Sequence, residues 1–255
     1  MHRANRGAAL PLTPRRREEP VIADKPVIFL YAGTELDVEL TVEFAGGGEP
    51  WFYYPAATMG ITEPPQHRTV RWQGHVSLPG AAQSGPLPTV PPAHFWSALR
   101  GVGASEFRAT GANEGERFLF YDGPTPFPRV LGVTTSGGNL RVQRTMRDRQ
   151  GQQVWVVDAN GFVRADVSAA ARRASPNRGN VVELERQVRA ALVARGLSPA
   201  EAGSLIDTWR GDLFRRSERR AIWFLPRPAY DAMLPITVRP MPIEMVRVGL
   251  VIQML

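Results

Sequence analysis

KPVIFLYAGTELDVELTVEF, residues 25–44, holds the most regular pattern in the chain. From Leu36 the apolar side chains fall on every second position (Leu36, Val38, Leu40, Val42, Phe44), and Asp37, Glu39, Thr41 and Glu43 stand between them. A two-residue period is that of a strand with one buried and one wet face. Working outward, short strands are predicted at Val27–Tyr31, Leu36–Phe44, Trp51–Tyr54 and Thr69–Leu78. Pro79–Pro92 is proline-rich and reads as a loop, because proline cannot donate to a ladder. Further strands are predicted at Phe95–Leu99, Arg117–Tyr121, Val130–Thr134, Leu140–Arg144 and Val154–Val157, with turn signals at SGGN and DANG.

The period then changes. Asn180 is placed to cap a helix with Glu183 three residues on; Leu184, Val188, Ala191 and Leu192 form its apolar stripe, and Gly196 is placed to end it. SPAE opens a second helix, with Ser198 as N-cap, Pro199 in the first turn and Glu201 closing a capping box. Ala202, Leu205, Ile206, Trp209 and Leu213 make its stripe. Strands return at Ala221–Leu225, Ile236–Val238 and Met245–Met254, and the last is expected to join the sheet built by the N-terminal half. The fold expected is mainly β, an antiparallel β-sandwich or partly open barrel with an inserted helical hairpin near residues 180–216. Residues 1–24 read as a flexible lead-in and residues 25–255 as a single β-rich domain. The expected core is Val38, Leu40, Val42, Trp72, Phe118, Phe120, Leu205, Trp209, Val246 and Val248.

Composition narrows the function classes. The 255 residues contain no cysteine, which removes disulfides, thiolate metal sites and a cysteine nucleophile. The formal net charge is +7, and every basic residue except Lys25 is arginine. The arginines are spread along the chain among acidic and apolar neighbours and no nucleic-acid motif accompanies them, so a solvated arginine-rich surface is the better reading. No apolar run reaches the length of a membrane span.

Several segments occur in a familiar order: KPVIFLY (25–31), YYPAAT (53–58), HFW (94–96), GERFLFYDG (115–123), GLSPAEAGSLIDTWRGDLF (196–214) and WFLPRPAYDAMLPITVRPMP (223–242). Together they resemble a family of bacterial proteins met in myxobacteria and planctomycetes, with no assigned activity. Its members read roughly KPVIYFY, YP, HYY, GEKFLFYRG and ETWRDSWF, followed by VPR and LPL. Asp207 stands here for the family's Glu before TWR, Gly211, Asp212 and Leu213 for its DSW, and Asp122 for the Arg of FLFYRG. A charged site at those positions would be lost or rewired. The resemblance implies an export or lipoprotein-type leader upstream of Met1. With the missing cysteine, it leads us to expect an extracytoplasmic, envelope-associated protein; cytoplasm is the alternative.

The candidate binding residues are Trp51, Tyr53, His94, Trp96, Asp207 and Arg210. Aromatic side chains on a β-scaffold can form a platform for sugar or peptide. Adjacent residues of WFYY must point to opposite faces, so two of them need a second layer or solvent, and the helical hairpin is one candidate cover. Asp207 and Arg210 are three apart, close enough to pair on one helical face. His67, His75 and His94 lack ligand spacing, so no metal is expected. Glu116 and Asp122 stand six residues apart in an extended segment, too far for a glycosidase pair unless Glu106 or Glu114 comes across. GxSxG, HExxH, P-loop and GxGxxG patterns are missing, and no cofactor is expected. A non-catalytic scaffold that binds a protein or polysaccharide partner is the favoured reading; a metal-independent hydrolase using carboxylates is the alternative.

Overall fold

The computed structural model describes residues 22–23, 26–81, 85–125, 131–136, 139–144, 152–167, 178–215 and 217–255. The chain begins with strands β1 (Ile22–Ala23), β2 (Val27–Ile28), β3 (Leu36–Glu43), β4 (Phe52–Tyr54), β5 (Thr58–Ile61) and β6 (Arg68–Val76). Helix α1 (Phe95–Arg100) interrupts them. Strands β7 (Phe107–Ala109), β8 (Gly115–Glu116), β9 (Leu119–Asp122), β10 (Leu131–Ser136), β11 (Asn139–Arg144), β12 (Gln152–Asp158) and β13 (Gly161–Val167) follow. Helices α2 (Val181–Val193) and α3 (Pro199–Arg210) lead through a π-helical turn (Gly211–Arg215) to β14 (Arg220–Leu225), α4 (Arg227–Met233), β15 (Ile236–Arg239) and β16 (Gly249–Met254).

Among the described residues every strand pair is antiparallel. A six-stranded sheet runs β15-β3-β6-β7-β8 with β5 also on β6; a five-stranded sheet runs β1-β16-β14-β12-β13; β2-β9-β4 form a small sheet and β10-β11 a ribbon. Among the described residues no sheet closes into a barrel, and the fold is mainly β with a few helices.

The alternating stretch around Leu36 does what its period predicts. Leu40, Val42 and Phe44 are buried; Leu40 lies opposite Trp72 and Val42 opposite Val70 of β6, and Phe44 and Val76 join the same cluster. On the wet face Asp37 lies opposite His75 and Glu39 opposite Gln73. The five-stranded sheet has a different grammar. VWVV in β12 and AIWFL in β14 are continuous apolar runs because both faces are covered. Val154, Val156, Ala221, Trp223, Leu225 and Val251 face the six-stranded sheet in one apolar cluster. Trp155, Val157, Ile222, Phe224 and Ile252 face the helical hairpin in another. The result is three layers: sheet, sheet, helices. Arg220, fully buried, ties the second layer to the third by donating to the Leu213 carbonyl from Nε (3.3 Å) and Nη2 (2.8 Å).

The hairpin forms as its caps dictate. Asn180 accepts from Glu183 N, Ser198 and Glu201 close a capping box, and Gly196 takes φ +100° after α2.

Other expectations need correction. Phe95–Leu99 is not a strand but the body of α1. A short apolar run has no decisive period, and here Pro91 and His94 start a helix that places Phe95 with Leu99 and Trp96 with Arg100 one turn apart. The final strand begins at Gly249 rather than Met245. Val246 is 39% exposed, not core, because the segment before β16 is held aside by Arg227 donating to the Met245 carbonyl and Arg247 donating to Asp231 and the Leu234 carbonyl. That strand lies between β1 and β14; the partner of the N-terminal strand β3 is instead β15. Strands β1, β5, β7, β8 and β13 and helix α4 lie outside the elements that the sequence pattern predicts. The expected flexible lead-in lies outside the described residues except for Ile22–Ala23, which pair with Ile252 and Val251.

Candidate functional site: an aromatic platform on a buried ion pair

In β4 the backbone pairs Phe52 with Asp122, Tyr53 with Tyr121 and Tyr54 with Phe120, which splits WFYY between two faces. Tyr53 packs on the main core; Tyr54 turns to a smaller cluster with Phe118, Phe120, Phe95 and Trp96. The second layer over that face is therefore α1, not the helical hairpin. Tyr54 stacks on Trp96 with ring centroids 4.2 Å apart and planes 19° from parallel, and Phe118 meets Trp96 edge-on at 5.7 Å. Phe52 reaches Phe120 at 5.7 Å yet is 44% exposed, and Trp51 is 69% exposed.

A charged pair fixes this cluster from beneath. Arg100, one turn after Trp96, donates to Glu116 Oε2 from Nε (2.9 Å) and Nη2 (2.7 Å), and to the Pro88 carbonyl from Nη1 (3.0 Å). The Glu116 side chain is fully buried, and its Oε1 accepts from the Arg117 amide at 2.9 Å. Tyr54 donates to Glu116 Oε2 at 3.4 Å; burial, and then the neighbouring carboxylate, push its phenol well above the usual range. His94 starts α1, its Nδ1 accepting from Trp96 N at 3.3 Å, and its ring lies over Phe95. Among the described residues the buried Trp96 indole N–H has no hydrogen-bond partner.

Trp51 and Tyr53 thus share β4 and its lead-in, while His94 and Trp96 sit in α1 against the other face of that strand. Asp207 and Arg210 belong to a different construction. Arg210 bridges Asp207 at 2.7 Å and Glu185 of α2, so the pair braces the helical hairpin. The anchoring residues Tyr54, Arg100 and Phe118 were not anticipated; their relation depends on α1 being a helix.

Glu106 does not join Glu116: Glu116 lies directly opposite Phe107, so Glu106, the residue just before that strand, projects from the other face. Glu114 acts on the Tyr54 phenol from the same side as Glu116, raising it further. His67 pairs with Glu43 at 2.5 Å and His75 with Asp37 at 3.0 Å on the wet face of β3-β6, far in sequence from His94 at its cap. Among the described residues no three His, Asp or Glu side chains gather as metal ligands, and no helix is long and apolar enough to cross a membrane.

A concavity of about 460 Å³ opens between Tyr31, Val102 and the start of α3. Its polar groups are mutually satisfied: the Tyr31 phenol donates to Glu201 Oε1 at 3.0 Å while Glu201 Oε2 accepts from Ser198 N at 2.7 Å. No protein-family model, no curated protein and no solved structure matches this chain.

Proposed function

We propose that this protein is a non-catalytic, envelope-associated β-scaffold whose aromatic platform binds a partner or polymer. The observation that carries the reading is the contrast at β4: Trp51, just before the strand, and Phe52, its first residue, are exposed on opposite faces, while the next two residues are packed into apolar clusters. Exposed aromatic surface on a preorganised base loses little freedom on binding, which is what a recognition surface needs. The carboxylates of the region support binding over hydrolysis, since Glu116 is committed to Arg100. The envelope location rests on the resemblance of the sequence and the absence of cysteine.

The test is affinity electrophoresis and calorimetry of the wild type and Trp51→Ala against soluble polysaccharides (cellohexaose, chitohexaose, an anionic glucan) and short extended peptides. Binding by the wild type that Trp51→Ala weakens, with an unchanged melting temperature, is the expected outcome. Failure of every probe to bind, or binding indifferent to Trp51, overturns the platform. Fractionation of the producing cells tests location, and recovery wholly in the cytosol would overturn that part.

A further inference from the structure

We propose that the open edge of β5 is the docking site for an extended polypeptide segment, which adds to the six-stranded sheet as one more strand. The inference goes beyond the binding reading above: its site is the β5 edge and not the Trp51 surface, and it stands or falls separately from it.

Backbone parity comes first. Thr62 N donates to the His67 carbonyl at 2.9 Å, in register with Ile61 opposite Arg68. Bonded and non-bonded pairs alternate along an antiparallel ladder, so Gly60 and Thr58 bond to β6 while Met59 and Ile61 turn their N–H and C=O groups away from it. The far side of β6 gives the same parity. Phe44 N donates to the Arg68 carbonyl at 2.8 Å, so the even residues of β6 serve β3. Thr110 N to the Gln73 carbonyl (2.8 Å) and Ser77 N to the Glu106 carbonyl (2.9 Å) put the odd residues on the side of β5 and β7. Among the described residues β5 has no second strand partner, and all four of its residues are exposed.

Natural edges are commonly blunted by lysine, proline or an inward-pointing charge. Strand β15, at the opposite edge of this sheet, ends in exposed Arg239 followed by Pro240. β5 carries none of these devices within its four residues; Glu63, Pro64 and Pro65 follow it only after Thr62 has closed the pairing with His67. It carries Met59 (60% exposed) and Ile61 (55% exposed), two residues apart and so on one face, that of the buried Val70 opposite Met59. The arginines of its partner strand opposite β5 are already matched: Arg71 with Glu39, and Arg68 with Glu49 at 3.6 Å. That last contact also draws the segment leading to Trp51 to the Ile61 end of β5.

These features select the occupant. Two outward N–H and C=O sets at a two-residue repeat match a peptide backbone and no carbohydrate. Met59, Ile61 and a charge-balanced surround suit apolar side chains at alternate positions of the incoming strand.

The experiment uses a short peptide alternating threonine and valine, its analogue N-methylated at alternate residues, and cellohexaose, titrated into the full chain. Met59→Pro removes an N–H that bonds nothing in the native sheet, so its melting temperature and circular dichroism should match the wild type; Ile61→Lys blunts the edge. The expected result is binding of the plain peptide, weakened about tenfold or more by Met59→Pro, by Ile61→Lys and by N-methylation. Peptide binding indifferent to Met59→Pro or N-methylation overturns strand addition, as does failure of the peptide to bind. Cellohexaose bound through Trp51 with no peptide bound at β5 overturns this proposal while leaving the platform standing. A wild-type dimer that Met59→Pro dissociates overturns the external peptide in favour of a second copy of this chain.

Discussion

Glu116 and Arg100 can each be judged by what its removal leaves behind. A buried ion pair is often no stronger than a well-packed apolar substitute, but losing one partner strands the other charge in the interior. Glu116→Leu is therefore expected to lower unfolding free energy by about 3 to 5 kcal/mol, and the double variant Arg100→Met/Glu116→Leu to recover much of that loss, as read from urea denaturation. A double variant no better than the single would mean that the carboxylate serves the Tyr54–Trp96 stack by packing rather than by charge. Asp158 offers a smaller effect with a definite pH window. Hydrogen bonding from Arg178, at 2.7 Å, is the main cause lowering its carboxyl from 3.8 to about 2. Since the folded value lies below the unfolded one, the stabilisation is complete above about pH 4 and is lost as pH falls toward 2. Screening limits it to roughly 1 kcal/mol or less. The stability gap between the wild type and Asp158→Asn should shrink over that interval; a gap that stays constant would assign the effect to shape, not ionisation.

At the scale of elements, legibility followed the local signals. The helical hairpin was readable because both of its starts are written in side chains that hydrogen-bond their own backbone, and β3 because its alternation spans eight residues. Helix α1 was not readable: at six residues it is too short for a period, and its helicity is decided by the small sheet beneath it. Strand β5 escaped because TMGI, all exposed, has no buried face to alternate with. The candidate site inherits this division. The aromatics Trp51, Tyr53, His94 and Trp96 stand out in the sequence, whereas Arg100 gains its meaning only once α1 aims it at Glu116. Ser198→Ala removes the cap that Glu201 N uses and should cost about 1 kcal/mol. Trp209→Ala, at a position only partly buried against the hairpin cluster, should cost about 2 to 3 kcal/mol, below the value for a fully buried ring. Thermal melts check both. A Trp209 variant as stable as the parent would move that ring from the core to the surface.

Across the whole molecule, the five-stranded sheet is the member on which the other layers depend, since it gives one face to the six-stranded sheet and the other to the helices. Its strand β14 is buried at every position and hydrogen-bonded on both sides, to β12 and to β16. Opening β14 therefore requires separating all three layers, while β5 can part from β6 with little apolar burial lost. Amide hydrogen exchange should display that ranking. The amides of Ile222 to Phe224 are expected to exchange only through global unfolding, those of Gly60 and Thr58 through local opening, and those of Met59 and Ile61, which bond nothing in the sheet, at close to unprotected rates. Two outcomes would break the argument separately. Slow exchange at Met59 and Ile61 in the free protein would mean that the β5 edge is already covered. Exchange at Ile222 to Phe224 faster than at Trp72 would mean that the helical layer and its sheet open as a unit while the six-stranded sheet stays folded.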